Sequence, residues 1–260
     1  MSEYATVKVE RKGPVAVVRF NRPDSLNAID AGIRADLFAA INEVNNDDSI
    51  RIVILTGAGR AFCAGADLSE KQPDDFNVED MINQEYKPLL MAITEAPKPW
   101  ISAVNGAAAG IGSSFAMNCD LTVMADNAYL YQAFAAISLI PDGGATWHLA
   151  RTVGRKKAYE LIALGEKLQA DQCLELGLCN RVVPADRLMD EAMSLAHELV
   201  AKAPLSLRYA KQSLNSAMTE SVGDTISNEA RLQSLCMNSE DAVEGAIAFM
   251  QKRAPAFKGK

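Results

Sequence analysis

The sequence predicts an α/β fold with a helical C-terminal region, and three observations carry that prediction. Apolar strand-like runs alternate with helical patterns through two cycles, small-residue turns follow two of those runs, and strand-like runs stop after Pro184. The first element is a hairpin, because TVKVE (6–10) and VAVVRF (15–20) flank the breaker Gly13-Pro14. The loop NRPDSLNAID follows. Its Asp30 is placed to cap a helix in which Ile33, Leu37, Ala40, Ile41 and Val44 recur at three- and four-residue spacing. IRIVILTG (50–57) then reads as a fully buried strand.

A second cycle repeats the pattern: a helix over roughly 79–96, the breaker APKP, the strand WISAVN (100–105), a glycine-rich turn, an apolar helix and the strand LTVMAD (121–126). KQPDDFN (71–77) reads as a mobile loop. Beyond Pro184 helical patterns run to SEDAVEGAIAFMQKR, where Ser239 is the expected N-cap. The expected organisation is a core over 1–184 and a helical region over 185–260. The chain holds no exact repeat and no low-complexity tract.

Composition narrows the function. The 260 residues are 49% hydrophobic, enough for a large core. A formal net charge of -7 makes nucleic acid a poor partner. The N-terminus MSEYATVKVERKG lacks an apolar export segment, and no run of about 18 apolar residues occurs, so a cytoplasmic location without membrane contact is expected. The cysteines, Cys63, Cys119, Cys173, Cys179 and Cys236, are odd in number and form no CxxC pair, which points to reduced thiols rather than disulfides or zinc ligands. The two histidines, His148 and His197, sit in no metal or triad pattern, so no metal site is expected.

Candidate chemistry lies in the small-residue turns. Between Gly106 and Ser114 the only side chain larger than a hydroxymethyl is Ile111. A strand running through NGAAAGIG into a helix start presents free peptide N–H groups that a ligand can touch, although small residues also permit plain helix-sheet packing. A second element, AGRAFCAGADLSE, repeats the arrangement: a strand, small residues around Gly65 and Ala66, and a helix start with Asp67 as cap. Two N–H groups converging on one oxygen make an oxyanion hole, suited to a carbonyl that becomes an enolate or a tetrahedral adduct.

NRPDSLNA (21–28), AFCAGADL (61–68), NGAAAGIGSSFAMNCDL (105–121) and IPDGG (140–144), in that order and spacing, resemble the enoyl-CoA hydratase/isomerase, or crotonase, superfamily over nearly the whole chain. The resemblance implies a spiral of ββα units, an acyl-CoA thioester bound in an extended cleft, no cofactor beyond the CoA of the substrate, and a homotrimer or dimer of trimers assembled through the helical C-terminal region. It implies that the N–H groups of Ala66 and Ile111 hold the thioester oxygen. It also lines the substrate with Leu26, Ala64, Gly65, Asp67, Leu68, Gly110, Ser114 and Phe134. Glycine is usual where Ile111 stands, so its branched side chain is expected to narrow the acyl pocket or alter the hole. Lys252, Arg253, Lys258 and Lys260 read either as contacts to CoA phosphates, Lys258 foremost, or as a solvated tail.

Hydratases of this family place a water with two glutamates, and the matching positions here hold Ser114 and Phe134, neither of which can do acid-base work on water. Asp142 matches the position of the catalytic aspartate in several isomerase-type and dehalogenase-type members. Leu139, Ile140 and Phe134 are expected to raise its pKa. The competing reading makes Asp142 a cap for the helix GATWHLARTVG. The function this implies is double-bond isomerisation of an acyl-CoA through an enolate, with Asp142 as the base. Members with a PDGG segment also rearrange aromatic-ring-derived epoxy-CoA thioesters. The alternatives are enoyl-CoA hydration and a non-catalytic acyl-CoA binding protein; dehalogenation is disfavoured, because it uses tryptophan where Phe134 stands.

Overall fold

The computed structural model describes residues 4–260. Strands β1 (Val7–Lys12) and β2 (Val15–Phe20) form the expected antiparallel hairpin. Helix α1 (Ala31–Asn46) starts on Asp30, whose side chain accepts the Ile33 N–H, and it buries the five apolar positions that the spacing assigns. β3 (Ile52–Gly57) is buried along its whole length and leads into the short β4 (Ala61–Cys63). A helix then runs as α2 (Val78–Met81), a π-helical turn (Ile82–Tyr86) and α3 (Lys87–Thr94). β5 (Trp100–Val104), β6 (Ala107–Ala109) and α4 (Ile111–Met117) make the next cycle, and β7 (Leu121–Ala125) and β8 (Tyr129–Tyr131) the one after. After a 3-10 turn (Ala133–Ile137) come α5 (Ala145–Thr152), α6 (Gly154–Leu164), β9 (Lys167–Gln169), α7 (Ala170–Glu175) and β10 (Arg181–Val183).

The strands form two sheets. The larger has the order β1-β2-β3-β5-β7-β10 and is parallel apart from β1; the smaller has the order β4-β6-β8-β9 and is parallel apart from β9. After the opening hairpin and α1, the cycles starting at β3, β5 and β7 each lay one strand in the larger sheet, a three-residue strand in the smaller, and then turn back through helix. That is the ββα spiral.

Its corners explain the motif glycines and asparagines. A Cβ on Gly57 would stand 2.2 Å from the Ala61 carbonyl oxygen, and one on Gly106 would stand 2.2 Å from that of Arg60. No side chain fits there. Asn27 takes the left-handed φ of 59° and donates its Nδ2 hydrogens to the carbonyls of Ala58, Ala61 and Phe62 at 2.9, 2.8 and 3.2 Å. Asn105 fastens the next corner by donating to the Gly59 carbonyl at 2.9 Å.

Four helices close the chain: α8 (Leu188–Val200), α9 (Pro204–Ala217), α10 (Val222–Met237) and α11 (Glu240–Gln251), the last capped by Ser239 through the Ala242 N–H. Helix α8 packs across β3, β5 and β7, and its Leu188, Ala192, Leu195 and Ala196 belong to the same core as those strands. Helices α9 to α11 leave Leu214, Val222, Ile226, Val243, Phe249 and Met250 exposed. All five cysteines are free, three of them buried. Among the described residues no helix is long and apolar enough to cross a membrane, and no cluster of His, Cys, Asp and Glu has metal-binding geometry.

Candidate active site

Strands β4 and β6 run side by side, so the small-residue turns that leave them meet. Gly65 has φ of 105° and Gly110 φ of 52°. A Cβ on Gly65 would lie 3.1 Å from the Ala109 carbonyl oxygen, and one on Gly110 would lie 3.8 Å from both the Gly65 Cα and Phe134 Cζ. A further close approach sits behind them, where a Cβ on Gly112 would lie 2.3 Å from the Cys63 carbonyl oxygen. Small residues are therefore required here by the contact itself.

Two peptide donors emerge from this junction. Ala66 forms an isolated parallel bridge with Ile29, in which the Gly65 carbonyl accepts the Ile29 N–H at 2.8 Å and the Asp67 N–H donates to the Ile29 carbonyl at 2.9 Å. In such a bridge the flanking peptides face the partner, so the N–H of Ala66 itself points the other way. Ile111 is the first residue of α4, where an N–H has no intrahelical acceptor. Among the described residues neither N–H finds a hydrogen-bond acceptor.

The side chain of Ile111 is buried and faces the Gly143 turn: a Cβ on Gly143 would fall 2.4 Å from Ile111 Cδ1, 2.8 Å from Ser114 Cβ and 3.1 Å from Leu90 Cδ1. The bulk gained at Ile111 is thus matched by the bare backbone at Gly143. Ser114 is fully buried and donates its hydroxyl to the Asp142 carbonyl at 2.9 Å, while Asn118 donates to the Gly143 carbonyl at 2.9 Å. These bonds hold the Asp142-Gly143 turn against α4.

The carboxyl of Asp142 caps nothing. Helix α5 starts from Gly144 at φ of 83° with no side-chain cap, and Asp142 Oδ1 is buried without a hydrogen-bond partner. Burial pushes this carboxyl up from the usual carboxylate range to about 6, against only a hydrogen bond from its own backbone. The cause differs from the sequence expectation, since Leu139 and Ile140 are 53% and 83% exposed and do not cover it. The adjoining Gly143 is the part of the turn seated on Ile111, Ser114 and Leu90.

Other sequence candidates fall around this junction, with one correction. Leu26 takes a left-handed φ of 53° and its carbonyl accepts the Ala64 N–H at 3.0 Å; Phe134 is buried beside Gly110; Leu68 stands 78% exposed at the rim. Asp67 starts no helix: its side chain accepts from the N–H and hydroxyl of Ser69 in a tight turn and pairs with Arg22 at 3.0 Å. Short-range side-chain bonding satisfies the backbone before a helix can begin. Lys258 lies elsewhere, lining a hollow of about 330 Å³ with Arg51, Ile52, Lys98 and Pro99, at the strand ends opposite to those that lead to Ala66 and Ile111. Its own N–H donates to buried Asp241.

Three further residues shape the site, of which only Arg22 lies in a quoted motif. Buried Arg34 pairs with both Glu70 and Glu85, tying the segment after Ala66 to the helix that contains the π turn. Arg22 ties Asp67 to Asp30 and to the Ala28 carbonyl. Tyr86, at the end of the π turn, is buried beside Arg34, with no acceptor for its O–H. An arginine in a helix and a tyrosine in a polar stretch give no sequence signal of this kind; only burial exposes them.

Comparison with known proteins agrees with the architecture. The enoyl-CoA hydratase/isomerase family profile matches residues 10–260. A 1,2-epoxyphenylacetyl-CoA isomerase from Escherichia coli is 39% identical over 264 residues, covering 100% of both chains, and a 2,3-dehydroadipyl-CoA hydratase from the same organism is 33% identical over 252 residues, covering 97% of this chain and 98% of its own. Among solved structures, an enoyl-CoA hydratase from Bacillus anthracis superposes with a TM-score of 0.92 at 29% identity, covering 98% of this chain and 100% of its own.

Proposed function

The chain belongs to the enoyl-CoA hydratase/isomerase family, and from that premise we propose that it is an isomerase that moves a double bond in an acyl-CoA thioester through an enolate. The buried, uncapped carboxyl of Asp142 carries the reading. It takes a proton from a carbon next to or conjugated with the thioester, the N–H groups of Ala66 and Ile111 hold the oxygen that becomes negative, and the same carboxyl returns the proton elsewhere on the chain. Peptide donors set by the fold need no reorganisation as that charge develops. A carboxyl near 6 is ionised at neutral pH, yet basic enough to hold a proton between the two transfers. The only cofactor-like group is the CoA of the substrate.

The name of the Escherichia coli isomerase supports an epoxide-bearing aromatic acyl-CoA as one substrate to test. Hydration is the second reading, favoured by relatives with hydratase names. Against it stand Ser114, occupied on the Asp142 carbonyl, and Phe134, which supplies no acid or base. We expect crotonyl-CoA hydration far below the typical enzyme turnover of about 10 per second. Mass and ultraviolet analysis of enoyl-CoA products separates the two, because hydration adds water and isomerisation leaves mass unchanged. Ready hydration at typical turnover would overturn the isomerase assignment.

The base has a pH signature. Its active form is the carboxylate, so log kcat/KM for isomerisation should rise with slope one up to about pH 6 and level off above. A profile flat from pH 4.5 to 7 would remove a group of that pKa from the mechanism.

The exposed apolar residues of α9 to α11 support assembly into trimers through this region. Removal of residues 185–260 should give insoluble or misassembled protein, since α8 also covers β3, β5 and β7. A well-folded monomeric product in light scattering would count against it.

A further inference from the structure

We propose that the Tyr86 hydroxyl is a substrate-binding group of this site and that it selects acyl groups carrying an oxygen of their own. The proposal rests on the isomerase reading above and adds to it a residue and a substrate class. Tyr86 is 2% exposed; the Arg34 guanidinium acts on its oxygen as a donor, and its O–H finds no acceptor within the fold. A buried O–H left without an acceptor is destabilising, so its retention points to an acceptor that the folded chain does not supply.

Its place in the fold says where that partner sits. Tyr86 ends the π-helical turn Ile82–Tyr86, a local widening of the helix that is frequent at functional sites. Leu90, four residues on and hence on the same helix face, reaches to 3.1 Å from the Cβ position of Gly143, next to Asp142. The face that carries Tyr86 is therefore the face that covers the proposed base. Asp142 Oδ1 is another buried oxygen without a partner.

The titratable and charged groups acting on Tyr86 come from three other elements: Arg34 of α1, whose guanidinium stands 5.5 Å from the ring centroid, Cys63 of β4, and Asp142. Burial, reinforced by Asp142 and Cys63 and opposed by Arg34, pushes the phenol up to about 12. The hydroxyl is thus a neutral donor throughout the working pH range. The peptide N–H groups of Ala66 and Ile111 already serve the thioester oxygen in the proposed reaction. A donor on the far side, beside the base, has no role toward a plain hydrocarbon chain, whereas an oxygen on the acyl group would accept its hydrogen.

The test compares hex-3-enoyl-CoA thioesters bearing a hydroxyl at C5 or C6 with hept-3-enoyl-CoA, in the wild type and in Tyr86→Phe. A site built to pair a substrate oxygen discriminates strongly against an analogue that lacks it. At least one hydroxylated thioester should therefore be preferred in kcat/KM by about 100-fold or more in the wild type. In Tyr86→Phe that preference should fall below about 10-fold, with Tm unchanged or raised. Equal use of all three thioesters by the wild type, or a preference that survives in Tyr86→Phe, would overturn the proposal. Should Tyr86→Phe fold poorly, 3-fluorotyrosine at position 86 keeps shape and hydroxyl while strengthening the donor, and it should preserve the preference; loss of the preference there counts against the hydroxyl. Failure of the underlying isomerase reading is seen separately, as absence of double-bond migration in all three thioesters with wild-type protein.

Discussion

Asp142→Asn should lower isomerisation by about 10²- to 10⁴-fold, the range that a positioned general base contributes, while acyl-CoA binding and fold are kept. Asparagine has nearly the same shape, and the carboxyl it replaces caps no helix. The backbone bonds that seat the turn, from Ser114 to the Asp142 carbonyl and from Asn118 to the Gly143 carbonyl, do not involve the exchanged side chain.

Stability moves the opposite way to activity. Because the folded-state pKa is raised from 3.8 to about 6, the charged carboxylate disfavours the fold, a penalty absent below about pH 3.8 and complete above about pH 6. The variant should therefore match the wild type near pH 4 and exceed it at pH 7 by on the order of 1–2 kcal/mol, less whatever the buried amide costs in its turn. Parallel denaturant titrations at the two pH values, alongside rate measurements, check both halves. Unchanged rate with unchanged stability would remove Asp142 from the mechanism. Glu70 and Glu85 would be poor replacements, since both are held by Arg34.

Gly112→Ala should be the most damaging single-methyl change near the site. The added Cβ would stand 2.3 Å from the Cys63 carbonyl oxygen and 2.8 Å from Cys63 Cβ and Sγ, all on β4 or at its end. Rigid backbone cannot yield to such a contact without moving α4 away from β4, and overpacking of this kind costs about 3 kcal/mol or more. The same displacement parts the N–H groups of Ala66 and Ile111, which lie on the two elements being pushed apart. The expected result is a clear fall in Tm together with at least a 10-fold loss of kcat/KM in whatever fraction stays folded. A variant with wild-type Tm and rate would show that the two turns are not in the tight contact described.

The helices and the long strands were legible because their signals are local and periodic. Asp30 and Ser239 cap as their sequence positions require, and the apolar spacing of α1 is the face it buries. The three-residue strands AFC, AAA and YLY carry no such period; they are strands only because the corners at Asn27, Gly57, Asn105 and Gly106 fold them into a second sheet. At Asp67 a short-range bond to Ser69 replaced the helix that composition pointed to. The two readings of Asp142, cap or chemical group, could not be separated in a string of letters, because both need only an acid before a helix; the unpaired Oδ1 and the bare Gly144 start remove the cap. Lys258 stands apart from the junction because the C-terminal segment returns to the far end of the larger sheet. Tyr86 was illegible altogether, because burial of one hydroxyl is a property of three-dimensional packing.

The central claim, an enolate formed by Asp142 and held at Ala66 and Ile111, is tested most directly by solvent-deuterium exchange into a saturated acyl-CoA. No double bond can move in such a molecule, so exchange of its α-proton reports enolate formation alone. Wild-type protein should introduce deuterium at the α-carbon, read as a mass increase of the thioester, and Asp142→Asn should slow this by about 10²-fold or more. Exchange at equal rates in both proteins, with binding of the thioester intact, would contradict the account.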